Sequence, residues 1–227
     1  MEGREELDLA LKLGHQPLEL YYSLAYITKE EVSSFTLGDH CQPVVLSKSL
    51  FDAIAYQKVP GNYMAVFPAF EHALDDLNEH ELCVVLEKVE KPGNLGAILR
   101  TCDALGVGKL ILTETEIDLF NPNVIRNSRG AVFTVSCSIS TNQELKSMFQ
   151  KAGRKSIATA LTPSAIPYQQ SQRVTPCALI FGSESLGLSD FWLEHADETV
   201  IIPMRGQVDS LNVSVSVGIL ASHWLMG

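Results

Sequence analysis

Residues 201–222 read IIPMRGQVDSLNVSVSVGILAS, apolar at both ends and polar in the middle. Two periodicities compete within this stretch. Alternation sets Val213, Val215 and Val217 against Ser214, Ser216 and Gly218, the pattern of a strand with one buried face. Helical spacing instead puts Val213, Val217, Leu220 and Trp224 on one stripe, with Ser210 in front as a cap. Taken on propensity alone, the valines favour a strand running through residue 219. The rest of the chain has to arbitrate.

With 227 residues, the chain can form one large domain or two small ones around a real core. Its 46% hydrophobic and 19% charged residues are ordinary for a folded soluble protein. No apolar run reaches the roughly 20 residues of a membrane span. The N-terminus lacks the charged, apolar and small-residue order of a signal peptide. Cys41, Cys83, Cys102, Cys137 and Cys177 are odd in number, widely spaced and without a CxxC. That usage points to buried free thiols in a reducing cytoplasm and to no metal site.

The net charge of −10 argues at first against a nucleic-acid partner, but it is unevenly spread. Residues 1–80 hold 5 basic and 13 acidic side chains, whereas residues 88–173 hold 11 basic and 6 acidic. A chain can attract phosphate locally while being acidic overall.

In the front part, GREELDLALKLG reads as a helix with a stop at Gly14, and LELYYSLAYI as a strand. TKEEVSSF and the Ser-capped LSKSLFDAIAYQ read as helices, and NYMAVFPAF as a strand. A charged stretch, EHALDDLNEHE, then links two units. After it the pattern becomes regular. LCVVLE, KLILTE, KSIATAL, PCALIFGSE and ETVIIPM read as strands, and NLGAILRTCDALGVG, NQELKSMFQKAG and SDFWLEHA as helices. Such alternation indicates parallel strands with helices packed on the sheet.

Ligands of parallel sheets collect in the loops at the carboxyl ends of strands, and three loops stand out. In EKVEKPGNLGAILRT, Pro92-Gly93 turns the chain, Asn94 can cap the helix, and Gly96 permits close approach to the sheet. A capped junction explains these residues, yet it does not call for Arg100 in an otherwise apolar helix. In LIFGSESLGLS, Gly182 and Gly187 have the spacing of a phosphate loop, but Leu188 stands where the lysine belongs. A glycine at a strand end and the carboxylate of Glu184 remain. In the opening stretch, Pro203 and Gly206 make an irregular loop before Ser210 and Asn212. Taken singly, a cap, an exposed glutamate and a second cap account for the three loops equally well.

Together and in this order, the motifs resemble the SpoU (TrmH-type) family of the SPOUT superfamily of RNA methyltransferases. The matching stretches are PGNLGAILRTCDALGV, LIFGSESLGLS and IPMRGQVDSLNVSVSVGIL, with NPNVIRNSRGAVF between them, spanning residues 82 to about 226. The resemblance implies an α/β fold, a parallel sheet whose C-terminal part forms a deep trefoil knot, a topology that periodicity never reveals. It also implies a helix after Ser210, whose small residues would pack against the crossing and a second subunit. Residues 1–70, through EGREELDLALKLGHQPLELYYS and NYMAVF, resemble a small α/β L30e-like RNA-recognition domain, whose usual front stretch is expected to be either trimmed or missing from this sequence. Residues 71–80 would be a linker and 81–227 the methyltransferase domain.

The family's methyl donor is S-adenosyl-L-methionine. Carried over by position, Thr159, Ala160, Leu161, Gly182, Ile202, Pro203, Met204 and Leu211 are expected to bind it. Asn94, Arg100, Glu184, Ser210 and Asn212 are expected to form the catalytic set around a ribose 2′-hydroxyl, with Arg100 central. Arg126, Arg129 and Arg205 are candidates for RNA phosphates, with solvated loop charges accounting for each equally well. The resemblance further implies a cytoplasmic homodimer joined through the knotted domain and acting on RNA, ribosomal RNA before tRNA. A non-catalytic knotted RNA-binding or ribosome-assembly factor is the rival, against which the intact catalytic set speaks. A Rossmann-type nucleotide enzyme would need GxGxxG after the first strand, which PGNLGA does not supply.

Overall fold

Short extended runs alternate with helices along the whole chain. In the computed structural model, which describes residues 1–56, 61–70, 74, 77 and 81–226, the chain starts with α1 (Arg4–Lys12), β1 (Glu19–Tyr22) and α2 (Lys29–Ser33). It continues through β2 (Pro43–Val45), α3 (Lys48–Ile54), β3 (Tyr63–Val66), β4 (Leu82–Glu87) and α4 (Pro92–Leu105). Then come β5 (Lys109–Thr113), α5 (Pro122–Ser128), β6 (Ser136–Ser140), α6 (Asn142–Ala152) and β7 (Lys155–Thr159). The rest is β8 (Ile166–Pro167), β9 (Cys177–Phe181), α7 (Asp190–His195), β10 (Glu198–Ile201) and α8 (Val213–Met226).

Strands β1, β2 and β3 form a small sheet in the order β2-β1-β3. The other seven form one sheet in the order β6-β5-β4-β9-β7-β10-β8, every pair parallel. Along β4, Leu82, Val84 and Leu86 face the cluster that holds α4, α5 and α8. Cys83 and Val85 face the cluster under α6 and α7. Covering both faces explains why apolar side chains of β4 are buried on each side of the sheet. The front part rests on this body, since Ala10 belongs to the α4 cluster and His15, Phe67 and Phe70 touch the Phe133 ring. All five cysteines are buried thiols outside any disulfide, and burial pushes the Cys137 and Cys177 thiols up to about 12. Thiols held so far from ionisation are inert structural groups.

The expected linker, 71–80, lies mostly outside the described residues. Within it, Leu77 is buried and its carbonyl accepts a 2.6 Å bond from Arg154 Nη2.

Two local readings need correction. Helix α8 replaces the strand that valine alternation favours: Val217, Leu220, Ala221 and Trp224 are buried, while Val215 is 48% exposed. Spacing of i, i+3, i+4 and i+7 is a helix face, and its burial outweighs β-propensity. Its cap is Asn212, not Ser210, because Asn212 Oδ1 accepts the Ser214 N–H at 2.9 Å.

Gly96, read from sequence as permitting approach to the sheet, lets α4 approach α5 instead. A Cβ there would stand 2.6 Å from Asn127 Cβ and 2.8 Å from the Val124 carbonyl oxygen on α5. Gly96→Leu is expected to cost roughly 1–3 kcal/mol through overpacking, lowering a calorimetric thermal midpoint by about 2–10 °C.

Candidate active site

Strands β7, β9 and β10 end side by side, and the loops that follow them enclose a cavity of about 690 Å³. The sheet's strand order reverses here: β5 and β6 extend to one side of β4, and the remaining strands to the other. Such switch points are where open parallel sheets bind ligands.

Gly182 lies just beyond the end of β9. A Cβ at this position would fall 2.1 Å from the Gly187 carbonyl carbon and 2.2 Å from the Leu188 nitrogen. Only glycine lets the loop fold back so closely. Ser183 and Gly187 then exchange backbone hydrogen bonds of 3.0 Å, and Ser183 Oγ accepts from the Leu186 N–H at 3.0 Å. The resulting tight turn carries Glu184 toward the start of α4.

Helix α4 begins at Pro92, with Lys91 in front of it and no side-chain cap. Proline suits the first helical position, where an N–H would have no partner. Asn94, read from sequence as the cap, is therefore the third residue inside the helix. Its carboxamide turns instead to two distant segments. Asn94 Nδ2 donates to Glu184 Oε1, and Asn94 Oδ1 accepts from Asn212 Nδ2 at 3.1 Å. Asn212 Oδ1 in turn accepts from both the backbone N–H and the hydroxyl of Ser214, at 2.9 and 2.6 Å.

The direction of this chain follows from chemistry. An ionised carboxylate only accepts, so Asn94 must turn its NH₂ to Glu184 and its oxygen to Asn212. Asn212 must then offer its NH₂ to Asn94 and its oxygen to α8. Three motifs are thus tied by one polar relay. Glu184 is also gripped by the Glu90 N–H at 3.2 Å, and Glu90 Oε1 accepts from Ser185 Oγ.

Of the residues singled out from sequence, Asn94, Thr159, Ala160, Leu161, Gly182, Glu184, Ile202, Met204, Ser210, Leu211 and Asn212 line the cavity. Pro203 is exposed and does not line it. Arg100 lies outside the lining, exposed on α4, with no hydrogen bond or ion pair among the described residues. Arg126 and Arg205 are exposed, whereas Arg129 is ion-paired to Glu5 of α1. Sequence reading missed Lys91, Asp209 and Ser216, which also line the cavity. Asp209 directly precedes Ser210 and could have been found from that adjacency, whereas Ser216 lies one helical turn beyond Asn212, whose carbonyl accepts its hydroxyl. Glu90 and Ser185 meet only through the fold.

The SpoU rRNA Methylase family matches residues 81–222. Over 226 residues the chain is 31% identical to the 23S rRNA (guanosine(2553)-2'-O)-methyltransferase RlmP of Bacillus subtilis, covering 98% of this chain and 86% of that one. It is 35% identical over 142 residues to the tRNA (guanosine(18)-2'-O)-methyltransferase of Thermus thermophilus, covering 62% of this chain and 72% of the relative. For some other curated relatives the chain spans about half their length. Among solved structures, the AdoMet-bound rRNA methyltransferase from Sinorhizobium meliloti superimposes with a TM-score of 0.88 at 28% identity, covering 100% of this chain and 87% of that one. Family profile, identity along nearly the full length and superposition agree: the chain belongs to the SpoU rRNA methylase family.

Proposed function

We propose that the protein is an S-adenosyl-L-methionine-dependent RNA 2′-O-ribose methyltransferase acting on ribosomal RNA. The observation that carries this reading is the relay of Asn94, Glu184 and Asn212 at the rim of one cavity, in a chain of this family. The similarity to RlmP along nearly the whole chain supports a ribosomal substrate.

The cavity fits a nucleoside-sized donor. Its volume of about 690 Å³ lies in the usual range for small-molecule sites, which pair apolar walls with a few polar groups. Ile202, Met204 and Leu211 supply apolar wall, and Thr159–Leu161 and Gly182 supply irregular backbone at strand ends. Pro203 lies between Ile202 and Met204, whose side chains border the donor. When bound, the donor supplies a methyl group on a sulfonium.

The chain's own task is to hold a ribose hydroxyl in line and to stabilise its oxygen as the proton leaves. Arg100 carries that role. A guanidinium stays protonated and cannot serve as the base, so it pairs with a neighbouring RNA phosphate and the developing oxyanion. The proton leaves to phosphate or water. Asn94, Glu184, Ser210 and Asn212 orient the ribose. Arg126, Arg129 and Arg205 contact phosphates. Arg129 must exchange Glu5 for RNA, a small step, since exposed ion pairs contribute about 0–1 kcal/mol.

Residues 202–212 form the threaded crossing of the family's trefoil knot in this reading. They run past the cavity and deliver α8 against α4, β4 and β9. Residues 1–70 act as an L30e-like recognition domain, in keeping with the small β2-β1-β3 sheet and its helices, followed by a linker at 71–80 and the methyltransferase domain at 81–227. Two copies pair in the cytoplasm through the knotted region, where α8 leaves Val215 and Met226 exposed. Light scattering at twice the chain mass is the expected result.

The test is incubation with labelled S-adenosyl-L-methionine and RNA from cells lacking the gene, fractionated into ribosomal and transfer RNA. Label on a ribose 2′-oxygen of ribosomal RNA is expected. Label in tRNA alone would reassign the substrate. Donor binding with label in neither would replace the enzyme by a knotted assembly factor.

A further inference from the structure

We propose that Glu87 is a positioning residue of the donor site, its buried carboxylate fixing the exit of the 183–189 loop and so seating Glu184 against Asn94. The proposal rests on the methyltransferase reading above and extends it to a residue outside the cavity.

Glu87 is the last residue of β4 and is only 1% exposed. A carboxylate at that depth is costly unless its oxygens are fully bonded. Here they are well supplied. Oε2 accepts the Ser189 N–H at 2.8 Å, and Oε1 accepts the Ser189 hydroxyl at 2.6 Å and Asn142 Nδ2 at 2.5 Å. Asn142 is itself held, because its Oδ1 accepts the Trp192 indole N–H at 2.8 Å, and Trp192 is fully buried. The anchor is thus rigid from β4 through α6 to α7.

What the anchor holds is the donor loop. Ser189 directly follows Leu188, which lines the cavity, and Gly182 packs on the Gly187–Leu188 peptide. The 183–187 turn is closed by its own backbone bonds, so it moves as a unit with its exit. Glu87 grips that exit from below, and five residues back Glu184 reaches Asn94 on the helix that follows β4. Both contacts therefore lock the same loop to the same strand-helix junction. Lys88, directly after Glu87, adopts φ +53. Left-handed backbone in a non-glycine residue is a strained conformation that the surroundings must enforce.

Ser189→Ala removes one bond to Glu87, and the isosteric Glu87→Gln places an amide NH₂ against donors. Donor affinity is read by calorimetry with S-adenosyl-L-methionine and methyl transfer by labelling, at a temperature where circular dichroism shows each variant folded. The expected result for Ser189→Ala is a donor Kd raised about 3- to 10-fold, because a bond to a charged group is worth more than about tenfold and only part of its loss is passed through the loop to the donor site. Glu87→Gln raises it about 10-fold or more and lowers kcat as Glu184 drifts from Asn94. Ser189→Thr keeps the hydroxyl and restores donor affinity to within about twofold. A lowered thermal midpoint with donor Kd and kcat unchanged in both variants would make the network merely structural and overturn the proposal. Should Glu87→Gln fail to fold, Ser189→Ala against Ser189→Thr decides it. A wild-type protein that neither binds donor nor methylates RNA overturns the methyltransferase reading, and this one with it. A normal wild type beside unaffected variants overturns only the role of Glu87.

Discussion

Arg100→Ala lowers methyl transfer to RNA by about 10²–10³-fold, the usual cost of deleting one donor to a developing oxyanion, and leaves donor affinity within about twofold. The two halves of that expectation come from different observations. Arg100 is exposed, outside the cavity lining and unpaired among the described residues, so its loss removes nothing from the donor's surroundings. It also lies six residues beyond Asn94 on α4, about 9 Å along the helix axis, near enough for a long side chain to serve a ribose held at the relay. Arg100→Lys keeps charge but loses the planar fork that spans phosphate and oxygen, so it restores only part of the rate. Single-turnover labelling measures the transfer, and calorimetry the donor. A variant that binds donor and transfers at the wild-type rate would remove Arg100 from the chemistry.

Gly182→Ala abolishes donor binding by at least about tenfold and destabilises the fold. The added methyl would meet backbone at 2.1 Å, and backbone cannot step aside as a flexible side chain can. Overpacking of this kind costs roughly 1–3 kcal/mol or more, and here the relief must come from opening the 183–189 loop. Gly187→Ala is the control. Its Cβ would enter open space, but φ there is +71, so only backbone strain of roughly 1–2 kcal/mol is added. Donor calorimetry and thermal midpoints should rank wild type above Gly187→Ala above Gly182→Ala in donor affinity. Equal losses at the two glycines would show that close approach at Gly182 is not what shapes the cavity.

The readable parts of the fold are those with strong, repeated local signals. Strands β4, β5 and β9 carry long apolar runs and β7 and β10 shorter apolar pairs, and each falls within a stretch read as a strand from sequence. The unread elements lack such signals. Strand β2 has three residues, all exposed, and β8 only two, so neither shows a buried face. Helix α5 spans seven residues behind an Asn121-Pro122 start, too short for a period to declare itself. At the site, motif resemblance singled out eleven of the residues that line the cavity, but not their partners. Glu87 and Glu90 read as a strand end and a loop charge, and only tertiary contacts give them Ser189 and Ser185.

By itself the sequence determined a parallel α/β body, because alternating buried strands and helices leave few other ways to cover both faces of a sheet. It also determined which three loops carry chemistry, through the residues they share with a known family. Local propensity favoured a strand over 213–219, the family resemblance implied a helix, and the structure has the helix at 213–226. Only the tertiary structure decided that Asn94 bridges rather than caps, and that Asn212 takes the capping role from Ser210. Local preferences differ by tenths of a kcal/mol per residue, while burying a stripe of large side chains contributes several. Bonds between residues 90 and 118 positions apart leave no mark on the local pattern of either partner.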